Sequence, residues 1–322
     1  MSPSQLAIEA VDLTKTYPGD VQAVKGISFE VRAGEAFGLL GPNGAGKSTT
    51  IGMLNTTVKP TSGRAFLGGK DVTKDPIGTR SISSVVFQDA VVDQLFTGRQ
   101  NLELHLRLWG TNISTGRARI AQLADVVGMS EYLDRPVGTY SGGQRRRMEI
   151  VRALLSDPRV VFLDEPTVGL DTRIRHDLFD VLATLRDQTG VTILLTTHYL
   201  DEAEQLCDRI AIVQSGRIVA CDTPAHLLAD LGDLVLEVRV DDADAAERTL
   251  QTAGIPEKDI LVIGTTVTAS LRDNQDDSVI HRLREAGVVV RSATTRNPSL
   301  DDVYLRLTGD HIAAGDEMEA VK

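Results

Sequence analysis

Gly41-Pro42-Asn43-Gly44-Ala45-Gly46-Lys47-Ser48-Thr49 constrains this chain more than any other stretch. The apolar run Ala36 to Leu40 leads straight into it and Thr50 to Leu54 reads as helix, so strand, glycine loop and helix follow without a break. Gly41 to Ser48 fits the pattern G-x-x-x-x-G-K-[ST], the P-loop, in the context its chemistry requires. Glycines let the backbone curl until successive N–H groups face a phosphate, and the helix N-terminus adds about 0.3–1 kcal/mol through its dipole. Lys47 is expected to hold the β- and γ-phosphates of a nucleotide, and the Ser48 hydroxyl to coordinate magnesium.

Two further stretches fit the same chemistry. Val160 to Leu163 is an apolar strand that ends in Asp164 and Glu165, and a buried strand delivering acids at its carboxyl end places ligands beside a sheet. Asp164 is the candidate for the magnesium shell and Glu165 the candidate general base acting on water. Tyr140-Ser141-Gly142-Gly143-Gln144 precedes a helical stretch, Arg145 to Leu155, and can form a second helix N-terminus suited to an anion. It has no lysine of its own, so if it binds phosphate it would complete a site built mainly by another subunit. Arg145, Arg146 and Arg147 point in different directions on a helix and read as a solvated face.

The rest of the chain supplies a frame for these motifs. Ile27, Phe29 and Val31 alternate with Ser28 and Glu30 as a strand does, and apolar runs recur at Val160 to Leu163 and Val191 to Leu195. Between the last two lies a helix-length segment through Leu178, Leu182 and Leu185, so a mostly parallel sheet covered by helices is expected. Residues from about 97 to 156 read as a helical insert, with Leu102, Leu106 and Trp109 at helical spacing and the Trp expected in the core. After Pro224 the pattern changes to strand, helix, two strands, helix, strand, which suggests a ferredoxin-like module. Its first helix is placed at Asp244 to Ala253, with Asp244 and Glu247 at capping-box spacing and Gly254 as the stop. The expected division is 1–223 as a catalytic domain, 224–309 as an accessory domain, and 310–322 as a flexible tail.

With 322 residues the chain is long enough for one large and one small domain. A formal net charge of −11 argues against broad nucleic-acid binding, which rests on phosphate neutralisation by Lys and Arg. No apolar run approaches the roughly 20 residues needed to cross a bilayer, and Met1 to Glu9 lacks the features of a secretion signal. Two cysteines, Cys207 and Cys221, suggest neither a disulfide framework nor zinc, so a reducing cytoplasm fits.

The set as a whole resembles the ABC ATPase family, through Gly41 to Thr49, Gln88, the signature Ser141 to Gln144, Asp164 with Glu165, Asp171 and His198, in that order. Tyr140 stands where the family usually has Leu. The resemblance covers about 6–223 and implies an α/β P-loop NTPase cassette with a helical subdomain, here followed by a small α+β domain. It implies that two cassettes face head to tail, each ATP lying between one P-loop and the other subunit's Ser141, Gly142, Gly143 and Gln144. It further implies that Tyr17 stacks on adenine and that Gln88 links magnesium and the attacking water to a membrane partner. Asp171 would communicate across the dimer and His198 would contact the γ-phosphate. Thr97-Gly98-Arg99-Gln100-Asn101-Leu102 and Pro298-Ser299-Leu300-Asp301-Asp302-Val303-Tyr304 look like segments of the daunorubicin and doxorubicin resistance exporters. That implies export of a drug-like compound by an ATPase homodimer, cytoplasmic and held at the inner membrane face by a separate permease. Lipid, polysaccharide or ion transport could share these segments, and a soluble ABC ATPase of translation or DNA repair is the competing class. Such a protein would carry two cassettes or a long coiled coil, which this chain lacks.

Overall fold

The computed structural model describes residues 6–88, 92–229, 231–271 and 276–309. The expected tail, 310–322, lies outside them. Among the described residues no helix is long and apolar enough to cross a membrane. Contacts divide the chain into two compact units, 1–220 and 221–322.

The first unit opens with β1 (Leu6–Tyr17) and β2 (Val21–Arg32), an antiparallel pair in which Ile27, Phe29 and Val31 point inward and Ser28, Glu30 and Arg32 outward. β3 (Ala36–Leu40), buried throughout, then feeds α1 (Lys47–Leu54). Ile51, Gly52, Met53 and Leu54 of α1 are all buried, the mark of a helix enclosed by its own domain. β4 (Ser62–Leu67) and β5 (Lys70–Asp71) complete a four-stranded sheet of order β2-β1-β4-β5. α2 (Pro76–Arg80) leads to β6 (Ser83–Val86), and the helical insert follows as α3 (Gly98–Leu108), α4 (Ile113–Val126) and α5 (Gly142–Leu154).

β7 (Val160–Asp164), α6 (Thr172–Thr189), β8 (Thr192–Thr197), α7 (Leu200–Leu206), β9 (Arg209–Gln214) and β10 (Arg217–Asp222) finish the unit. The larger sheet has the order β10-β9-β3-β8-β7-β6, with β9, β3, β8, β7 and β6 mutually parallel. β3 lies inside this sheet between β8 and β9, so the loop after it opens at the carboxyl edge, where open α/β sheets bind ligands. Apolar side chains of both sheets and α1 form one core, with the rings of Phe29 and Phe37 stacked at 5.2 Å.

The insert departs from expectation at Trp109. Leu102 and Leu106 are buried, but Trp109 caps the C-terminus of α3 and remains 43% exposed. The helix ends before another turn can cover it, and its ring forms part of the wall of a cavity of about 510 Å³ shared with Ile77, Phe87, His105 and Arg152.

The second unit contains α8 (Pro224–Ala229), β11 (Leu234–Val240), α9 (Ala243–Thr252), β12 (Ile260–Ile263), β13 (Thr266–Leu271), α10 (Asp276–Glu285), β14 (Val290–Arg296) and α11 (Leu300–Thr308). Its antiparallel sheet runs β12-β13-β11-β14, the split βαββαβ arrangement of a ferredoxin-like fold. Leu236, Val238 and Val240 meet Ala246 and Leu250 of α9 and Val279 and Leu283 of α10 in a core of their own. The cap of α9 is Asp242, which accepts from the Ala245 N–H at 2.9 Å, rather than Asp244. With β11 ending at Val240, the helix starts one residue before Asp244, whose charge then lies in the first turn, where the dipole favours it.

Candidate nucleotide site

Gly46 starts α1 with φ 102°, a left-handed conformation that L side chains rarely adopt, and a Cβ there would fall 2.4 Å from the Ala23 carbonyl. At Gly41 the same test puts a Cβ 2.1 Å from the Val213 carbonyl. The loop therefore closes as tightly as it does only because these positions are glycine. Lys47, the first residue of α1, is buried and donates to the carbonyls of Gly41 at 2.7 Å and Pro42 at 3.1 Å. Its Nζ is also 3.3 Å from Glu165 Oε1. Burial pulls its ammonium below the ordinary lysine range, although Glu165 and Asp164 oppose the shift. Ser48 Oγ donates to Asp164 Oδ1 at 2.9 Å, and Thr196 Oγ1 donates to the same oxygen at 2.6 Å.

Glu165 follows β7 with φ 45°, in the left-handed region although it is not glycine. Its N–H donates to Thr196 Oγ1 at 2.9 Å, which anchors the turn to β8. Its carboxylate lies between Lys47 and His198, whose Nδ1 is 3.5 Å from Oε2. The His198 ring nitrogen at 3.5 Å, with the Lys47 ammonium beside it, holds the Glu165 carboxyl below the ordinary glutamate range against the opposing effect of burial. Behind this turn Glu202, only 1% exposed, accepts from Thr167 Oγ1 at 2.5 Å and Thr197 Oγ1 at 2.7 Å. Burial outweighs those hydrogen bonds and raises the Glu202 carboxyl.

A cavity of about 470 Å³ is lined by Tyr17, Asn43, Lys47, Ser48, Gln88 and Glu165 among others. Gly44, Gly46 and Thr49 also line it, and Ala45 is buried beneath the loop. Tyr17 stands at the mouth, its hydroxyl 3.5 Å from Thr49 Oγ1 and the Lys15 ammonium 5.0 Å from its ring centre. The volume suits a nucleotide. Ser48 and Asp164 are hard oxygen donors already within one hydrogen bond of each other, with the Gln88 amide lining the same cavity, a donor set that fits magnesium.

None of Ser141 to Gln144 lines that cavity. Ser141 is the N-cap of α5: its Oγ accepts from the Gln144 N–H at 3.2 Å, and Gln144 Oε1 accepts from the Ser141 N–H at 3.0 Å. Gly142 and Gly143 thus form the first turn of the helix rather than a loop before it. Tyr140 sits beneath, buried, with its hydroxyl donating to the Tyr132 carbonyl at 2.7 Å and the two rings edge to face. Asp171 caps α6 by accepting from the Ile174 N–H at 3.0 Å.

The arginine run is not a solvated face. Arg146 is buried, paired with Glu149 at 3.0 Å and hydrogen-bonded into the turn that carries Glu165. It lies on the inward stripe Gly143, Arg146, Ile150 and Ala153 of α5, a helical spacing present in the sequence but masked by the two flanking arginines. Thr196, Thr167 and Glu202 were also absent from the sequence-based site, and nothing in their spacing singles them out.

The ABC transporter family profile matches residues 24–168. The chain is 42% identical over 311 residues to the daunorubicin/doxorubicin resistance ATP-binding protein DrrA of Streptomyces peucetius, covering 94% of this chain and 92% of that protein. It is 38% identical over 303 residues to the Nod factor export ATP-binding protein I of Burkholderia orbicola, covering 94% and 97%. Among solved structures, cbiO1 of Clostridium perfringens, part of the ABC transporter complex cbiONQ, superposes with a TM-score of 0.66 at 28% identity, over 70% of this chain and 92% of that one. Similarity that runs through both compact units at this level makes the chain a member of the ATP-binding proteins of ABC transporters, and thus an ATPase.

Proposed function

We propose that this protein hydrolyses ATP to drive export of a drug-like compound through a separate membrane subunit. The observation that carries the catalytic part is the Glu165 carboxylate, held between Lys47 at 3.3 Å and His198 at 3.5 Å beside the nucleotide-sized cavity. The catalytic domain is 1–223 and the accessory domain 224–309.

In this reading the backbone N–H groups of Gly41 to Thr49 cradle the phosphates, Lys47 binds the β- and γ-phosphates, and Tyr17 stacks on the adenine. Ser48, Asp164 and Gln88 hold magnesium, which when bound neutralises phosphate charge. Glu165, kept ionised by its neighbours, takes the proton of the attacking water, and His198 contacts the γ-phosphate. Two copies face head to tail, so that Ser141, Gly142, Gly143 and Gln144 of one complete the ATP site of the other. The position of this exposed helix start outside its own subunit's cavity supports that arrangement. Asp171, next to it at the start of α6, communicates across the dimer.

ATP binds the closed dimer more tightly than the open one, since equal affinity would shift nothing, and hydrolysis reopens it. The membrane subunit docks at the cavity walled by Ile77, Phe87 and Trp109, directly beside Gln88 in the chain, and holds the ATPase at the inner membrane face. The substrate class rests on the Streptomyces relative, which is named for daunorubicin and doxorubicin resistance.

Glu165→Gln is expected to retain ATP binding, trap the closed dimer and lower kcat by about 10²-fold or more. A variant that turns over at the normal rate would overturn the role of Glu165. Tagged Glu165→Gln in ATP should co-purify a polytopic membrane protein from native membranes, and that pair should move an anthracycline. Movement of a lipid or an oligosaccharide instead would keep the motor and change its cargo.

A further inference from the structure

Arginine carries five N–H donors in a rigid fork, and a buried guanidinium is tolerated only where they find acceptors. Arg146 is 6% exposed and all five are satisfied. Nε donates to the Pro166 carbonyl at 2.6 Å. Nη1 donates to the Phe87 carbonyl at 2.5 Å and to Glu149 Oε2 at 3.0 Å. Nη2 donates to the carbonyls of Asp164 at 3.3 Å and Glu165 at 3.0 Å. Three of these acceptors are consecutive carbonyls of the turn that carries Glu165, and a fourth belongs to the residue before Gln88.

Glu165 needs such a clamp. A non-glycine residue at φ 45° persists only when its surroundings over-determine it. Thr196 fixes the N–H side of this residue and Arg146 the carbonyl side. The arginine itself projects from α5, between one and two turns below the exposed Ser141 cap.

We propose that Arg146 is a positioning residue that ties α5, the strand end at Gln88 and the Glu165 turn into one unit. A shift of the Ser141–Gln144 helix start or of Gln88 is thereby transmitted to the carboxylate that acts on water. The proposal rests on the functional reading above, and in a head-to-tail dimer it links the helix start serving one ATP to the Glu165 serving the other.

The test compares full-length wild type, Arg146→Lys, Glu149→Gln and Glu165→Gln for ATP affinity and steady-state hydrolysis. A lysine ammonium is a point charge that cannot span four carbonyls. Arg146→Lys should keep ATP affinity within about threefold while kcat falls about 30-fold or more, the scale expected when a reacting group is displaced by a fraction of an ångström. Glu149→Gln leaves the guanidinium and its carbonyl acceptors in place and should keep kcat within about threefold. If Arg146→Lys fails to bind ATP, Arg146→Gln, neutral and less costly to bury, takes its place with the same expected split between kcat and affinity. Wild-type kcat in the Arg146 variant alongside an inactive Glu165→Gln would overturn the proposal and spare the site assignment. A loss in Glu149→Gln equal to that in the Arg146 variant would overturn it too, because the effect would then follow the ion pair. Normal turnover in Glu165→Gln would overturn the site assignment itself.

Discussion

Two buried glutamates, Glu165 after β7 and Glu202 in α7, are shifted in opposite directions, and this gives a pH signature. Glu165 is held below the ordinary glutamate value of 4.5, so the stability it contributes is present above that value and is lost as pH falls through its folded pKa. Glu202 is raised above 4.5, so its contribution is full below 4.5 and is lost as pH rises through its folded pKa. Urea unfolding followed from acid to neutral pH should therefore show Glu165→Gln losing ground to wild type as pH rises and Glu202→Gln gaining it. Parallel profiles for the two variants would contradict both assignments. The sequence singles out Glu165 because it follows an apolar strand and Asp164. Glu202 is one acid among several in Asp201-Glu202-Ala203-Glu204, and only folding shows which of them meets Thr167 and Thr197.

At the scale of elements, the start of α5 depends on how closely it approaches α6. A Cβ on Gly143 would lie 2.5 Å from Ile174 Cγ2, whereas one on Gly142 would meet only the tip of Leu170 at 3.2 Å. Gly143→Val should destabilise the protein by about 1–3 kcal/mol through overpacking, and Gly142→Ala by well under half of that. Chemical denaturation of the two variants measures the difference, and equal losses would mean that α5 can retreat from α6 without cost. The same helix shows why part of the site was hidden from the sequence. Three consecutive arginines spread around a helix and read as a solvated face, whereas in the folded α5 Arg146 lies on the buried stripe with Gly143 and Ile150.

Across the whole molecule, each compact unit has its own apolar core, one built on Ile8, Phe37, Met53 and Phe162 and the other on Leu236, Val238, Leu250 and Leu283. Calorimetry of the full chain should show two transitions, of which ATP with magnesium raises only that of the first unit. At 100 times the Kd the stabilisation should be about 2.7 kcal/mol. A single transition that moves as one with nucleotide would show that the second unit does not unfold independently. Most of this architecture was legible in the chain, because glycine spacing, strand alternation and helix periodicity are local signals: the phosphate loop, the Asp164–Glu165 strand end and the βαββαβ order all follow from them. Tertiary structure alone decided which groups converge on Glu165, that Trp109 faces a groove rather than the core, and that Arg146 turns inward. These outcomes depend on partners dozens of residues away, such as Phe87 for Arg146 and Lys47 for Glu165, and no local pattern records a contact across that distance.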